Sequence, residues 1–207
     1  MTLPVRPGKV LCVGRNYRAH ARELGNEVPA EPLLFLKPSS SIIASGQPII
    51  LPAVSRQVEY EGEIGVVIGM RLRDASEEEA ARAVSAIVAI NDVTARDLQR
   101  TDGQWTRAKG FDSFCPIGAP SSEVPPLDAL TVIVRVNGEE RQRGQSADMV
   151  FSIPALLAYA SRIMTLEPGD VVATGTPAGV GALGEGDVVE VEVEGLSVVS
   201  NPVGVAR

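Results

Sequence analysis

Residues 59–68 read EYEGEIGVVI, in which three glutamates at alternate positions lead into an apolar run rich in β-branched residues. Side chains alternate between the two faces of a strand, so a strand that begins here places Glu59, Glu61 and Glu63 on one face. Ionised carboxylates so close together repel each other unless a cation lies between them or one of them takes up a proton. Two interpretations stay open at this point, a solvated strand edge and a cation site.

A cation held by these side chains would be a hard one, because carboxylate oxygens favour Mg²⁺, Mn²⁺ or Ca²⁺. With 2 cysteines and 1 histidine in 207 residues, the composition does not support a zinc cluster. A second acidic position, Asp92, follows the apolar run AIVAI at residues 86–90. An aspartate there is typical of a cap or a turn, and it is also a candidate third oxygen ligand.

The rest of the chain predicts more strands than helices. Short apolar segments predict strands at residues 9–13, 33–36, 131–136, 170–173 and 187–193. Capping and glycine signals predict helices over residues 17–24, 80–89 and 156–164, with a capping box at 76–79 and a serine cap at 152. Asn137-Gly138 predicts a type I′ hairpin, and residues 91–107 are expected to be irregular. Strands that do not alternate regularly with helices favour an α+β fold over a doubly wound parallel sheet, and residues 1–207 are expected to form a single domain.

Composition excludes several classes of function. The net charge is −7, from 26 acidic and 19 basic residues, which disfavours binding to nucleic acid. A small anionic substrate stays compatible with this charge, because local basic residues can line a pocket. Apolar runs fall short of the roughly 18 residues that span a bilayer, and the first residues do not resemble a signal peptide. The expectation is a cytoplasmic protein without membrane contact, in which Cys12 and Cys115 are buried free thiols.

Several polar residues are candidates for catalysis or binding. His20, the single histidine, lies three residues before Glu23, so on a helix the two side chains face each other. A carboxylate beside an imidazole fixes its tautomer and gives a candidate general base, although a surface pair looks the same in sequence. Lys37, Arg96 and Lys109 lie among apolar or turn residues and together suit the carboxylates of an anionic substrate. The glycine-rich run TGTPAGVG at 174–181 matches no nucleotide motif and suggests backbone contact with a small oxyanion.

Seven stretches, in this order, resemble the fumarylacetoacetate hydrolase family over nearly the whole chain. They are VGRNYRAH (13–20), LLFLKP (33–38), YEGEIGVVIG (60–69), INDVTARDLQ (90–99), RAKGFDSFCPIG (107–118), FSIPALLAY (151–159) and GDVVATGTPAGVG (169–181). The likeness is strongest to the small branch that contains acylpyruvases and oxaloacetate decarboxylases. It implies a mixed β-roll with a few flanking helices, which is usually a homodimer.

The resemblance also implies a role for each matching residue. The implied metal ligands are Glu61, Glu63 and Asp92, the lysine near the reacting carbon is Lys109, and the His-x-x-Glu pair on a mobile lid helix is His20 and Glu23. The implied substrate-binding residues are Arg15, Lys37, Arg96, Gln99 and Thr176. The implied cofactor is Mg²⁺ or Mn²⁺, with Ca²⁺ as a substitute.

The activity implied is cleavage of a carbon–carbon bond next to C3 of a small 2-oxo or 2,4-dioxo acid, by acylpyruvate hydrolysis or oxaloacetate decarboxylation. Two alternatives stay open. One is a 2-hydroxyhepta-2,4-diene-1,7-dioate isomerase or decarboxylase, and the other is a module that binds a cation and an organic acid without turnover. Residues 100–106, RTDGQWT, look shorter than the corresponding loop of typical acylpyruvases, which leaves the exact substrate open.

Overall fold

The computed structural model describes residues 7–206, and in that range the chain folds into a mixed α+β structure, as expected. The strands are β1 (Val10–Gly14), β2 (Leu33–Lys37), β3 (Ile42–Ile43), β4 (Ile49–Leu51), β5 (Val58–Tyr60), β6 (Gly62–Ile68), β7 (Val84–Asn91), β8 (Thr94–Ala95), β9 (Cys115–Pro116), β10 (Thr131–Val136), β11 (Glu139–Gln145), β12 (Val171–Ala173), β13 (Gly181–Ala182), β14 (Val188–Val193) and β15 (Ser197–Val205). The α-helices are α1 (Arg18–Glu23), α2 (Glu77–Arg82), α3 (Arg96–Thr101), α4 (Thr106–Lys109) and α5 (Ile153–Ile163). None of these helices is long and apolar enough to cross a membrane.

Two five-stranded sheets face each other across the core. The first has the order β2-β1-β12-β6-β7, with β1 and β12 parallel and the other neighbours antiparallel. The second has the order β11-β10-β14-β15-β4. Strands β10 and β14 pack on β6 and β7, and the space between them is filled by buried apolar side chains such as Ile64, Val134 and Val191. This arrangement confirms the predicted mixed sheet architecture.

The predicted helix over residues 80–89 is wrong. The capping box is present, with Ser76 and Glu79 bonding each other's backbone N–H, but helix α2 ends at Arg82 and strand β7 starts at Val84. Strand β7 pairs with β6 and is buried on both faces except at Ser85. A strand buried on both faces loses the alternation of apolar and polar residues, so an alanine-containing run of this kind is not distinguished from a buried helix by its period.

Two further differences concern turns and short helices. The expected type I′ hairpin is confirmed, since Asn137 and Gly138 both have positive φ, 53° and 83°, and Val136 pairs with Glu139 across them. Residues 91–107, expected to be irregular, instead contain α3 and the start of α4. Cys12 and Cys115 are free and buried, as expected.

Antiparallel pairing brings the candidate site residues to one edge of the first sheet. Gly62, at the start of β6, pairs with Asn91, at the end of β7, and the Asp92 N–H donates to the Glu61 carbonyl at 2.8 Å. Strand β12 runs antiparallel to β6, so its exit at residues 174–176 passes beside Glu63. The parallel strand β1 ends at the same edge and delivers Arg15 there.

Candidate active site

Three carboxylates lie together at this sheet edge. Glu61, Glu63 and Asp92 each offer an oxygen, these oxygens all lie within 4.8 Å of one another, and the three residues are buried. Glu59 is not part of this cluster: its carboxylate accepts from the Arg96 guanidinium, which also donates to Glu61. We call Glu61, Glu63 and Asp92 the carboxylate triad.

Two members of the triad are held by buried cations. The Lys109 ammonium donates to Glu61 Oε2 at 2.7 Å and to Asp92 Oδ2 at 2.6 Å. The Lys37 ammonium donates to Asp92 Oδ1 at 2.6 Å, and the Arg96 guanidinium donates to Glu61. Burial alone raises the pKa of Glu61, but the charges of Lys109 and Arg96 outweigh it and hold the pKa below its ordinary value. Burial lowers the pKa of Lys109, but the charges of Asp92 and Glu61 raise it by more than burial lowers it. The pKa is therefore above its ordinary value, and the amine stays charged.

Glu63 is the exception, because it has no cationic partner among the described residues. Its Oε2 accepts one hydrogen bond, from the Gly175 N–H at 2.8 Å. Burial raises the pKa of Glu63, and the negative charges of Asp92 and Glu61 raise it further. Three close carboxylate oxygens, one of them lacking a compensating charge, form a donor set that fits a hard divalent cation such as Mg²⁺ or Mn²⁺.

His20 and Glu23 face the triad from helix α1. His20 Nδ1 lies 3.2 Å from Glu23 Oε2, and Glu23 Oε1 accepts the Gly179 N–H at 2.9 Å. A carboxylate only accepts hydrogen bonds, so in the neutral imidazole this contact places the proton on Nδ1. The Nε2 lone pair is then free to accept a proton. The imidazole is buried, with His20 5% exposed, whereas Glu23 is exposed, so the other interpretation of the sequence, a solvated surface pair, holds for the carboxylate and not for the imidazole.

One cavity of about 520 Å³ joins the triad to this pair. Its wall contains almost every residue singled out from the sequence, namely Arg15, His20, Glu23, Glu61, Glu63, Asp92, Arg96, Gln99, Lys109 and Thr176. Lys37 is the exception: it is 2% exposed and lies behind Asp92, where it donates to Asp92 and to the Val93 carbonyl. Its position suits fixing the Asp92 carboxylate rather than meeting a substrate.

The glycine-rich run 174–181 binds carboxylates of the chain itself. The Gly175 N–H donates to Glu63 and the Gly179 N–H donates to Glu23. These two N–H groups therefore position Glu63 and Glu23. They are not available for the backbone contact with an oxyanion that the sequence suggested. Thr176 remains on the cavity wall, with its hydroxyl donating to the Gly62 carbonyl at 2.9 Å.

An aromatic section of the cavity wall was not foreseen from the sequence. Phe35 and Trp105 pack edge to face, with ring centroids 5.4 Å apart. The Arg15 guanidinium lies 6.0 Å from the Trp105 ring, and the Lys109 ammonium lies 5.0 Å from the Phe35 ring. Arg15 also has a positive φ of 61°, a backbone conformation that non-glycine residues adopt mainly under local constraint. The single tryptophan, within RTDGQWT, was the only sequence signal for this section.

Comparison with known families agrees with the fold. Residues 9–204 match the family model described as fumarylacetoacetate (FAA) hydrolase C-terminal. The mitochondrial oxaloacetate tautomerase of Homo sapiens is 44% identical over 193 residues, which cover 90% of this chain and 87% of that protein.

Solved structures of two related enzymes have the same fold. The fumarylpyruvate hydrolase of Pseudomonas aeruginosa, in complex with Mn²⁺ and pyruvate, superposes with a TM-score of 0.91 at 35% identity, covering 98% of this chain and 91% of that chain. The 2-hydroxyhepta-2,4-diene-1,7-dioate isomerase of Mycobacterium marinum superposes with a TM-score of 0.89 at 42% identity, covering 98% of this chain and 76% of that chain.

Proposed function

Because the chain belongs to the fumarylacetoacetate hydrolase family, we propose that it is a Mg²⁺- or Mn²⁺-dependent enzyme that cleaves small 2-oxo or 2,4-dioxo acids next to C3. The reaction is hydrolysis of an acylpyruvate or decarboxylation of oxaloacetate. The observation that carries this proposal is the His20–Glu23 pair, which shares one cavity with the buried carboxylate triad.

The triad would hold the divalent cation, and Ca²⁺ would be a substitute. A cation bound there supplies a Lewis acid that stabilises negative charge developing on a 2-oxo acid. The related fumarylpyruvate hydrolase was solved with Mn²⁺ and pyruvate, and pyruvate is itself a 2-oxo acid. That pairing supports both the metal and the substrate class proposed for this chain.

His20 would act as the general base in acylpyruvate hydrolysis. Its Nε2 takes a proton from water, the water oxygen attacks the C4 carbonyl, and the C3–C4 bond breaks with its electron pair moving to C3. Protonation at C3 then gives pyruvate and a carboxylic acid. Glu23 holds the imidazole in the tautomer that this step needs. The Lys109 ammonium lies at the triad and offsets negative charge on the enolate.

The remaining polar residues would bind the substrate. Arg96 donates to Gln99 Oε1, so the Gln99 amide presents its N–H groups as donors for an anionic substrate. Arg15 adds a charge beside Trp105, in the aromatic section of the wall. In decarboxylation of oxaloacetate the same groups bind the substrate, but CO₂ leaves and no water attacks.

A second candidate is proton transfer without cleavage of a carbon–carbon bond, as in isomerisation of a 2-hydroxydienedioate or tautomerisation of oxaloacetate. The identities favour it: the human oxaloacetate tautomerase and the Mycobacterium isomerase are 44% and 42% identical to this chain, and the fumarylpyruvate hydrolase is 35% identical. The His20–Glu23 pair, a candidate general base beside the triad, argues against the third alternative, a module that binds without turnover.

A substrate screen tests the proposal. Acetylpyruvate, fumarylpyruvate, oxaloacetate and a 2-hydroxydienedioate are incubated with the protein and Mn²⁺, and pyruvate is followed through lactate dehydrogenase. Because Mn²⁺ alone decarboxylates oxaloacetate, we expect pyruvate from at least one of the first three substrates in excess of a protein-free control with the same Mn²⁺, and loss of that excess when EDTA is added. Conversion of a substrate to an isomer without pyruvate would establish the second candidate, and binding without any conversion would establish the third.

We also propose a homodimer in the cytoplasm. The edge strand β2 exposes Leu33 and Leu36, and an open strand edge with apolar side chains is a template for pairing with another chain. The acidic chain with two buried free cysteines suits a reducing compartment. Light scattering at micromolar concentration should give twice the mass of one chain. A species with the mass of a single chain at every concentration would refute the dimer.

A further inference from the structure

Gln142 is a buried polar side chain that links the second sheet to the carboxylate triad. It lies on β11, is 1% exposed, and uses both ends of its amide. Its Oε1 accepts the Gly62 N–H at 3.0 Å, and its Nε2 donates to Thr176 Oγ1 at 2.9 Å and to the Pro177 carbonyl at 2.6 Å. The opposite amide orientation would set donor against donor at Gly62 and acceptor against acceptor at Pro177, so the partners fix the orientation.

The first consequence concerns the spacing of Glu61 and Glu63. Thr176 has one hydroxyl proton, and it goes to the Gly62 carbonyl at 2.9 Å while the oxygen accepts from Gln142. Both polar groups of Gly62 are therefore held, its N–H by Gln142 and its carbonyl by Thr176. Gly62 separates the two glutamates in the chain, so this clamp sets where their side chains start.

The second consequence concerns Glu23. The Gln142 bond to the Pro177 carbonyl holds the segment that continues to Gly179, whose N–H donates to Glu23 and whose carbonyl accepts the Tyr60 hydroxyl at 3.0 Å. That segment lies tightly on β11, because a Cβ added at Gly179 would be 2.2 Å from the Arg141 carbonyl oxygen. The position of Glu23 thus depends on contacts with β11.

A β-bulge aims Gln142 inward. Val134 of β10 pairs with Gln142, whereas the next residue, Arg135, pairs with Glu140, so Arg141 is the extra residue in β11. Without the bulge, Arg141 would lie opposite Val134 and share its core-facing side. The bulge instead leaves Arg141 exposed and turns Gln142 toward the site, a recurrent use of bulges near functional sites.

We propose that Gln142 is a positioning residue that couples the carboxylate triad to the His20–Glu23 pair. Through Gly62 it sets the spacing of two triad carboxylates, and through residues 176–179 it holds Glu23 in place to orient His20. Gln142 is not on the cavity wall, so it acts through these residues and not on the substrate. The inference rests on the function proposed above.

The test compares two glutamine-to-methionine variants on one strand. Gln142→Met keeps the length of the side chain and removes its three hydrogen bonds, and Gln145→Met makes the same change at an exposed position of β11. We expect the Mn²⁺ affinity of Gln142→Met to fall about 10–100-fold, the usual effect of losing a group that orients metal ligands. Its kcat at saturating Mn²⁺ should also fall, because Glu23 no longer holds His20. Gln145→Met should match the wild type in both.

The readouts separate positioning from a merely structural role. A lower melting temperature with unchanged Mn²⁺ affinity and unchanged kcat would overturn the proposal for Gln142 while the proposed function stands. A wild-type protein that neither binds Mn²⁺ nor turns over any substrate would overturn both. If Gln142→Met does not fold, Gln142→Asn keeps the amide but is one methylene too short to reach all three partners. It should show the same two losses, and wild-type behaviour from it would overturn the proposal.

Discussion

Replacing Glu63 by glutamine should abolish turnover and weaken Mn²⁺ binding by more than about 100-fold, beyond the loss usual for an outer-shell change. The metal-free variant should remain folded and be at least as stable as the wild type. The combination is distinctive, because substitutions of buried charged residues usually destabilise. Titration calorimetry with Mn²⁺ and thermal unfolding in EDTA measure the two effects separately.

The reason lies in the charge environment of Glu63. Its carboxylate is 1% exposed, has no cationic partner among residues 7–206, and accepts one N–H, from Gly175. A glutamine of the same shape keeps that acceptor and removes a buried charge. The free-energy cost of burying the charge is then absent, which stabilises the metal-free protein. The same change removes an anionic oxygen from the donor set that a divalent cation requires.

Two companion variants make the result interpretable. Glu61→Gln should also lose Mn²⁺ binding, but it should cost on the order of 3 kcal/mol of stability, because Lys109 and Arg96 each lose a buried partner. Glu167→Gln, the same change at an exposed glutamate that pairs with Arg71 and not with any residue of the site, should keep the Mn²⁺ affinity within a few-fold of the wild type, by the usual weak coupling of distant sites. Wild-type Mn²⁺ affinity in Glu63→Gln would show that the triad is not the metal site.

The sequence located these carboxylates but not the contacts that make them differ. Family-like motifs indicated the three residues, and antiparallel pairing of β6 with β7 then brings Asp92 beside Glu61. Lys109 and Lys37 bond Asp92, whereas Glu63 has, within residues 7–206, only a backbone donor, and this difference depends on long-range packing. Neither periodicity nor spacing contains that information.

Other features were hidden for specific physical reasons. The helix predicted over 80–89 became strand β7, because burial on both faces erased its alternation. Gln142 lies in the charged run EERQRGQ, which reads as an exposed edge strand, and the bulge that turns it inward arises from pairing with β10. By contrast, the hairpin at Asn137-Gly138 was predictable, because its two positive φ angles are a local requirement.

Replacing His20 by alanine should leave the Mn²⁺ affinity unchanged and lower the rate of acylpyruvate cleavage by about 10²–10⁴-fold, the usual contribution of a general base. The imidazole bonds Glu23 and does not belong to the triad, so metal binding does not require it. Because the loss falls on the chemical step, we expect it in kcat rather than in KM. Rates in saturating Mn²⁺ and separate Mn²⁺ titrations distinguish the two quantities.

Neighbouring variants on helix α1 complete the argument. Glu23→Gln should lower the same rate, because an amide no longer restricts Nδ1 of His20 to the donor role and the base is lost in part of the molecules. Arg22→Ala changes an exposed residue between them and should behave as the wild type.

A decarboxylation rate for oxaloacetate that survives His20→Ala, while acylpyruvate hydrolysis does not, would assign His20 to the activation of the attacking water. An unchanged rate for every substrate would remove His20 from the mechanism. It would favour the isomerase or tautomerase candidate, since hydrolysis would then have no base to activate its water.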